Sequence, residues 1–241
     1  MGDEWRNATS VTHSAWLLRL VISIRRLTVT YGRTLALDRL DLDLGPGVIG
    51  LFGPNGSGKS TLLRVLSGLL RPSAGTVELC GRPISSSDEG FRRRVGYAGH
   101  ESGLYPRLTL EENLSLFARL YDLPARRGLE VAEEVGLSNR LQTRAGELSA
   151  GLKRRAAVAR ALLHGPDLLL LDEPYANLDD DAAEEVTRAI QGWSGPERTA
   201  LIATHGAKRL KAYAAGGVIL KQGRVVVEGR YSRAREPAPR A

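Results

Sequence analysis

The sequence predicts an α/β fold, with a mostly parallel sheet, helices on both faces of that sheet and an inserted helical lobe. Three observations predict it. Short apolar segments are separated by helical segments of ten or more residues, which favours right-handed crossovers between parallel strands. A glycine-rich loop follows one apolar segment and opens a helix. A long stretch in the middle of the chain is helical apart from a few breaks.

The first half of the chain predicts five strands and one helix. Leu40–Leu44 alternates Leu with Asp in a period of two, as a half-buried strand does. The helix is expected at Thr61–Leu69, directly after the glycine-rich loop. The predicted strands, in order, are Val21–Val29, Leu40–Leu44, Val48–Phe52, Thr76–Leu79 and Arg94–Ala98.

The second half begins with a helical block from about Thr109 to Leu163. We expect breaks near Pro124, Gly136 and Gly146, because proline and glycine interrupt helices. Four consecutive leucines at Leu168–Leu171 then predict a parallel strand buried on both faces. The remaining predicted elements are strands at Thr199–Ala203 and Val218–Leu220 and helices at Asp180–Ile190 and Ala207–Ala214.

We expect one domain over residues 21–230, with its helical lobe at about 92–163. Residues 1–20 show no clear period and are interpreted as an N-terminal extension of unclear role. Residues 231–241 are mostly Arg, Pro and Ala with little apolar surface to bury, so we expect a disordered tail.

Composition limits the possible classes of protein. The chain of 241 residues carries 34 Lys and Arg against 27 Asp and Glu, and the net charge of +7 permits an anionic partner. The single cysteine excludes an intramolecular disulfide and a four-cysteine metal site. The apolar stretch Ala15–Ile24 has half the roughly 20 residues that a membrane span needs, so a cytoplasmic protein is expected.

The loop Gly53–Thr61 fits the phosphate-binding pattern G-x-x-x-x-G-K-[ST]. Its glycines let successive N–H groups point at phosphate oxygens, and the helix that follows adds the positive end of its dipole. Lys59 is expected to contact the β and γ phosphates, and Ser60 to ligate Mg²⁺. The site thus predicts ATP and Mg²⁺, bound by Gly53, Pro54, Asn55, Gly56, Ser57, Gly58, Lys59, Ser60 and Thr61.

Acidic and imidazole side chains follow two later strands. Asp172 and Glu173 come directly after the four leucines, at the strand end where ligands bind in open α/β sheets. We expect Asp172 to hold Mg²⁺ and Glu173 to accept a proton from an attacking water or to orient it. His205 follows the strand Thr199–Ala203, and its imidazole is placed to bond the γ-phosphate.

Together with the phosphate loop and the acidic strand, the segment Leu148-Ser149-Ala150-Gly151-Leu152 resembles the signature loop of ATP-binding cassette (ABC) transporter nucleotide-binding domains. The resemblance covers about residues 22–230. It implies a P-loop NTPase fold with an added antiparallel β subdomain. It also implies that Tyr31 stacks on adenine, that Ala176–Asp179 is the D-loop and that His205 is the switch histidine.

Ser149 and Gly151 open the helix predicted at Leu152–Leu163, so their N–H groups and the Ser149 hydroxyl form a second anion site. A plain helix N-cap by Ser149 explains the same residue without any ligand. The family places this site against the γ-phosphate held by a second cassette. The resemblance therefore implies a partner cassette, most simply an identical copy. It also implies an integral membrane permease docked near His100–Phe117, and a location on the inner face of the membrane.

Three departures from the family pattern stand out. Ala150 and Leu152 replace the usual second glycine and glutamine of the signature. His100 stands where a glutamine is usual, and we expect His100 or Glu101 to contact Mg²⁺ through bound water. Three cations, at Lys153, Arg154 and Arg155, lie in the first turn of the following helix, where they are unfavourable unless phosphate is near.

Within the family, Gly99-His100-Glu101 before Leu108–Leu114 resembles the haem exporter ATPase of cytochrome c biogenesis. The main function hypothesis is thus an ATP-hydrolysing transporter subunit, with haem as one candidate substrate.

A soluble ABC ATPase acting on nucleic acid or ribosomes is the alternative. Only 90 residues separate Lys59 from Ser149, which leaves no room for the long coiled coil of chromosome-maintenance relatives. No nucleic-acid partner is expected. A small-molecule P-loop kinase would have no use for the Ser149 turn.

Overall fold

The computed structural model describes residues 21–84 and 88–230. The strands of this part of the chain are β1 (Ile22–Tyr31), β2 (Thr34–Leu44), β3 (Gly47–Phe52), β4 (Ala74–Leu79), β5 (Arg82–Pro83), β6 (Val95–Ala98), β7 (Leu168–Asp172), β8 (Thr199–Ala203), β9 (Gly216–Lys221) and β10 (Arg224–Arg230). The predicted N-terminal extension and tail lie outside the described residues.

The helices of the same part of the chain differ widely in length. They are α1 (Lys59–Leu66), α2 (Glu89–Arg94), α3 (Leu110–Leu120), α4 (Arg126–Glu134), α5 (Ala150–Leu162), α6 (Asp180–Trp193) and α7 (Ala207–Lys211). Short 3₁₀ turns stand at Ser138–Arg140 and Ala145–Glu147. Among these helices, each is too short or too polar to cross a bilayer.

The strands form two sheets. The main sheet has the order β10-β9-β3-β8-β7-β6, and all of its strands are parallel except the edge strand β10. The second sheet has the order β2-β1-β4-β5 and is antiparallel throughout. The predicted fold class, a mostly parallel sheet with an antiparallel subdomain, is confirmed.

The four-leucine strand β7 is buried on both faces, as its composition predicts. Leu169 and Leu171 belong to the hydrophobic cluster under the helices α3–α5, and Leu168 and Leu170 belong to the cluster beneath the antiparallel sheet. Neighbouring strands repeat this alternation because side chains change face at every residue. The sheet therefore separates two apolar layers, and its strand ends are free to carry polar groups.

Helices α3 and α4 end close to the predicted breaks at Pro124 and Gly136, and Gly146 lies in a 3₁₀ turn before α5. Helix α3 begins with a capping box between Thr109 and Glu112. The chain leaves helical geometry around Pro124, and Gly136 takes a positive φ of 68°. Instead of forming a separate core, α3, α4 and α5 share one hydrophobic cluster with the main sheet. Residues 95–98, expected within the lobe, form β6 in that sheet.

Several elements differ from the expected ones. β2 starts at Thr34, six residues before the predicted Leu40, because it pairs along nearly all of β1. Helix α1 ends at Leu66, short of the predicted Leu69, since Gly68 adopts a φ of 75°. Three elements had no prediction: β5, α2 and β10. They are short or carry many charges, and long-range contacts stabilise them, as when β10 pairs with β9.

Candidate active site

The phosphate loop connects β3 to α1 and requires glycine at two positions. Gly53 has a φ of 145°, and a Cβ there would lie 2.2 Å from the Leu220 carbonyl oxygen. Gly58, the N-cap of α1, has a φ of 105°, and a Cβ there would lie 2.7 Å from the Ala36 carbonyl oxygen. The neighbouring strands thus press the backbone into an inward turn that a side chain would block.

Lys59 is the first residue of α1 and is only 8% exposed. Its Nζ donates to the carbonyl oxygens of Gly53, at 2.7 Å, and Pro54, at 3.1 Å. Burial lowers the pKa of Lys59, while the negative charges of Glu173 and Asp172 act to raise it. The ammonium group is therefore held at the loop, where a phosphate oxygen can replace the carbonyls as its partner.

The loop residues fit a bound triphosphate. Ser57 is 2% exposed, and its Oγ finds no hydrogen-bond partner among the residues described. The Ser60 hydroxyl lies on the exposed first turn of α1. Within residues 21–84 and 88–230, no three His, Cys, Asp or Glu side chains cluster as metal ligands. A cation between Ser60 and Asp172 would therefore depend on phosphate oxygens as well.

Asp172 and Glu173 stand where β7 ends. Asp172 is 6% exposed and pairs with Ala203 in the parallel register. The Glu173 N–H donates to the Ala203 carbonyl at 2.8 Å, and Glu173 takes a φ of 52°, which is unusual for a residue with a side chain. The end of β7 therefore carries two successive carboxylates, one buried and one partly exposed.

His205 contacts Glu173. The imidazole Nε2 lies 3.3 Å from Glu173 Oε1, and the His205 N–H donates to Oε2 at 3.4 Å. The histidine side chain is 52% exposed, whereas the glutamate side chain is 27% exposed. The structure thus brings together three of the residues predicted to act on the γ-phosphate, namely Lys59, Glu173 and His205.

Two tyrosines that sequence analysis missed connect the segments carrying these groups. The Tyr175 hydroxyl hydrogen-bonds the Tyr213 hydroxyl, and Arg209 lies 5.8 Å from the centre of the Tyr175 ring. Burial raises the pKa of both tyrosines, so both remain neutral. The segment after Glu173 is thereby attached to the segment after His205. No local pattern marks either tyrosine for this contact.

The signature turn opens α5 as predicted. Ser149 is the N-cap, and its side chain accepts a hydrogen bond from the Leu152 N–H at 3.3 Å. Ala150 has an ordinary helical backbone, so its methyl group is accommodated. Leu152 packs against the helical hydrophobic cluster instead of presenting a polar group. Ser149 itself is exposed at the protein surface.

Gly151 is required by a close approach of the backbone that follows the acidic strand. A Cβ at Gly151 would lie 2.6 Å from the Asn177 carbonyl oxygen and 3.3 Å from Leu178. Asn177 takes a left-handed φ of 61°. The signature turn and the segment Ala176–Asp179 therefore form one packed unit.

Two cations of the basic cluster have protein partners. Lys153 Nζ donates to the Gly146 carbonyl at 3.0 Å. Arg155 forms an ion pair with Glu185 at 2.7 Å and bonds two backbone carbonyls at the end of α4. Neither cation needs a nearby phosphate to account for its position.

The third cation, Arg154, points into the protein and is 9% exposed. Its guanidinium donates to the carbonyl oxygens of Gly99, at 2.6 Å, Asp172, at 3.2 Å, and His100, at 3.4 Å. Sequence analysis missed this residue because its two basic neighbours have the same local pattern. The contact joins α5 to the acidic strand and to the loop where a glutamine was expected.

Two further predicted site residues, Tyr31 and His100, lie at the surface, as do Pro54, Asn55 and Gly56 of the phosphate loop, whereas Thr61 is partly buried. Tyr31 is 43% exposed at the end of β1, next to the turn into β2. The His100 side chain is exposed, and its backbone carbonyl is the group that Arg154 holds. Stacking of Tyr31 on adenine and a contact of His100 with Mg²⁺ remain predictions.

Comparison with known sequences matches this chain to one family. A family profile described as "ABC transporter" matches residues 37–176. The chain is 36% identical over 213 residues to Nod factor export ATP-binding protein I of Burkholderia thailandensis, covering 86% of this chain and 70% of that protein. A protein of the same name from Cupriavidus metallidurans is 35% identical over 215 residues, with coverage of 87% and 71%.

Solved structures show the same fold. An ATP-binding subunit of an ABC transporter superposes with a TM-score of 0.79 at 29% identity, covering 87% of this chain and 90% of that one. An ATP-binding cassette solved as a dimer in a post-hydrolysis state, with ADP and Pi bound, superposes with a TM-score of 0.80 at 26% identity. The coverage in the second case is 88% of this chain and 99% of the other.

Proposed function

This chain belongs to the ABC transporter family of ATP-binding subunits, and on that basis we propose that two copies of it close around two ATP molecules. Each copy supplies one half of each site, and hydrolysis reopens the pair. Subunits of this family hydrolyse ATP to power transport. The transport step itself belongs to a separate membrane permease.

The contact between Glu173 and His205, beside the buried Lys59, carries the proposal. The loop N–H groups and Lys59 bind the phosphates and stabilise the charge that develops on the γ-phosphate. Glu173 orients the attacking water and accepts its proton. His205 donates a hydrogen bond to the γ-phosphate and, through its contact with Glu173, keeps that carboxylate near the water.

Ser60 and Asp172 are the residues that would hold Mg²⁺. The cation would neutralise part of the triphosphate charge. Asp172 is buried at the end of β7, and its negative charge acts to raise the pKa of Lys59. The exposed Ser60 hydroxyl, at the start of the same helix as Lys59, supplies an oxygen of the kind that this ion prefers.

Exposure of the Ser149 turn supports a shared site. Ser149 and the N-terminus of α5 lie at the surface, where they would bind an anion. In the sequence they are 90 residues from Lys59 of the phosphate loop of the same copy. A relative with the same fold was solved as a dimer. In the proposed dimer, this turn closes on the γ-phosphate bound by the other copy.

A membrane permease is the proposed second partner. A groove of about 470 Å³ runs between the main sheet and α3, and its lining includes Leu69, Phe117 and Leu120. Leu69 is 64% exposed and Leu120 is 63% exposed, so an apolar face is available beside the expected docking region His100–Phe117. Because Arg92, Arg93 and Arg160 also line this groove, it supports the docking of a permease segment that carries both apolar and acidic side chains, and with it a location at the inner face of the membrane.

The transported substrate is a separate question. The relatives described above are named for Nod factor export, so they support an export role and add no support for haem. They also add none for action on nucleic acid or ribosomes. Haem export stays a prediction from the segment before Leu108. Co-purifying the chain with its permease from membranes, and measuring which substrate stimulates ATP hydrolysis, tests it.

Protein concentration tests the shared site. If each site needs two copies, the ATPase rate per chain should rise steeply with the concentration of the purified protein. A weakly associated dimer should dissociate over a dilution of about a hundredfold. A rate per chain that stays constant over that dilution would contradict the proposal. Phosphate transfer to a metabolite by the monomer would favour a kinase instead.

A further inference from the structure

We propose that Arg154 is a positioning residue that couples the two nucleotide sites of the dimer. It links the Mg²⁺-binding strand end and the His100 loop of its own copy to the Ser149 turn, which serves the nucleotide of the other copy. The inference rests on the proposed function, because it needs the shared site.

Burial and hydrogen bonding carry the inference. Arg154 is 9% exposed, and two nitrogens of its guanidinium reach three backbone carbonyls on two separate segments. The carbonyls of Gly99 and His100 belong to the loop after β6, and that of Asp172 belongs to the end of β7. A planar guanidinium with several fixed N–H directions can span such a set, whereas a lysine ammonium cannot span it equally well.

The charge of Arg154 makes these contacts costly to lose. Across residues 21–84 and 88–229, no carboxylate lies within ion-pair distance of its guanidinium. Burying a cation is unfavourable unless polar groups replace its water. The three carbonyl oxygens replace that water only while the loop, the strand end and α5 keep their relative positions. A shift of one segment therefore favours a shift of the others.

The position of Arg154 along α5 explains how this contact can affect the second nucleotide site. It lies five residues after Ser149, on the second turn of a helix whose N-cap is Ser149. A helix of 13 residues moves as a rigid element over this distance. A change in the position of the strand end at Asp172 would thus change the orientation of the Ser149 turn, and through it the second site.

The test removes the guanidinium with Arg154→Met, which keeps an unbranched apolar stem of four heavy atoms and leaves no unpaired buried charge. We expect the Hill coefficient of ATP hydrolysis to fall toward one and kcat to fall about five- to thirtyfold. Binding of a fluorescent ATP analogue with Mg²⁺ to the dilute monomer should change by less than about twofold, because Arg154 is not expected to contact the nucleotide.

Two further variants separate coupling from a general loss of stability. Arg155→Met is the matched control on the same helix, since Arg155 bonds Glu185 and the end of α4. It should leave the Hill coefficient unchanged. Arg154→Lys should restore part of the cooperativity. The inference is overturned if Arg154→Met keeps the wild-type Hill coefficient, or if Arg155→Met lowers it equally.

Failure of the coupling and failure of the shared site give different results. In the Glu173→Gln background, the ATP-trapped dimer is measured by analytical ultracentrifugation with and without Arg154→Met. If Glu173→Gln alone never dimerises, the proposed function fails. If the fraction of dimer rises equally steeply with ATP concentration with and without Arg154→Met, the proposed coupling by Arg154 is wrong while the shared site stands.

Discussion

The imidazole Nε2 of His205 lies 3.3 Å from Oε1 of Glu173, although the two residues belong to the ends of different strands. The left-handed backbone of Glu173, with a φ of 52°, turns its carboxylate toward the loop after β8. Glu173 can therefore receive a proton from water on one side while His205 orients it on the other.

Glu173→Gln should slow ATP hydrolysis by about 100-fold or more, because the amide keeps the shape of the side chain but cannot accept a proton. Nucleotide affinity should change little, since Lys59 and the loop remain. The variant should accumulate as a dimer in MgATP, which size-exclusion chromatography measures. A variant that stays monomeric at high ATP would count against the shared site.

Ser60→Ala should weaken nucleotide binding about tenfold in Mg²⁺ and much less in EDTA, because the lost hydroxyl is a proposed ligand of Mg²⁺. Titration of a fluorescent ATP analogue under both conditions checks this. Ser67→Ala is the matched control at the other end of α1, where the hydroxyl bonds the Arg64 carbonyl. Equal losses with and without Mg²⁺ would exclude the ligand role of Ser60.

Gly151→Ala should destabilise the protein by about 1–3 kcal/mol and reduce hydrolysis, since the added Cβ would lie 2.6 Å from the Asn177 carbonyl oxygen. The backbone of either segment must move to relieve that contact. Urea denaturation and an ATPase assay measure both effects. Ala150→Gly, one residue earlier at an exposed position, is the control and should cost no more than about 1 kcal/mol. Similar losses in both variants would contradict the steric explanation.

His164 stacks on Tyr121 with the ring centres 4.1 Å apart. Burial lowers the pKa of His164 from 6.5 to about 4 in the folded protein. Between these two values the unfolded chain binds the proton and the folded chain does not. The free energy of unfolding therefore falls as the pH falls through this range, by about 3 kcal/mol at most.

His164→Gln should remove this part of the pH dependence, while its amide can still donate to the Val95 carbonyl that His164 Nε2 contacts. Urea denaturation at about pH 7 and pH 4.5 measures the change in stability for each protein. His100→Gln, at an exposed site, is the control. If wild type and His164→Gln lose the same stability on acidification, the buried histidine does not cause the loss.

Much of the fold and of the candidate site could be predicted because the signals are local. The glycine loop before Lys59, the acids after four leucines and the breaks at Pro124 and Gly136 each lie within a few adjacent residues. The structure gives the reason for glycine at positions 53 and 58, since both residues have a positive φ that a residue with a side chain rarely adopts. Amino-acid types at short spacings are enough to predict such features.

Tertiary structure alone decided which member of the basic cluster enters the site. Lys153, Arg154 and Arg155 have the same local pattern, and the docking of α5 against β6 and the end of β7 buries Arg154. The link between Tyr175 and Tyr213 and the approach of Asn177 to Gly151 likewise join segments far apart in the chain. Chain order does not set these distances, because they depend on how whole helices pack against the sheet.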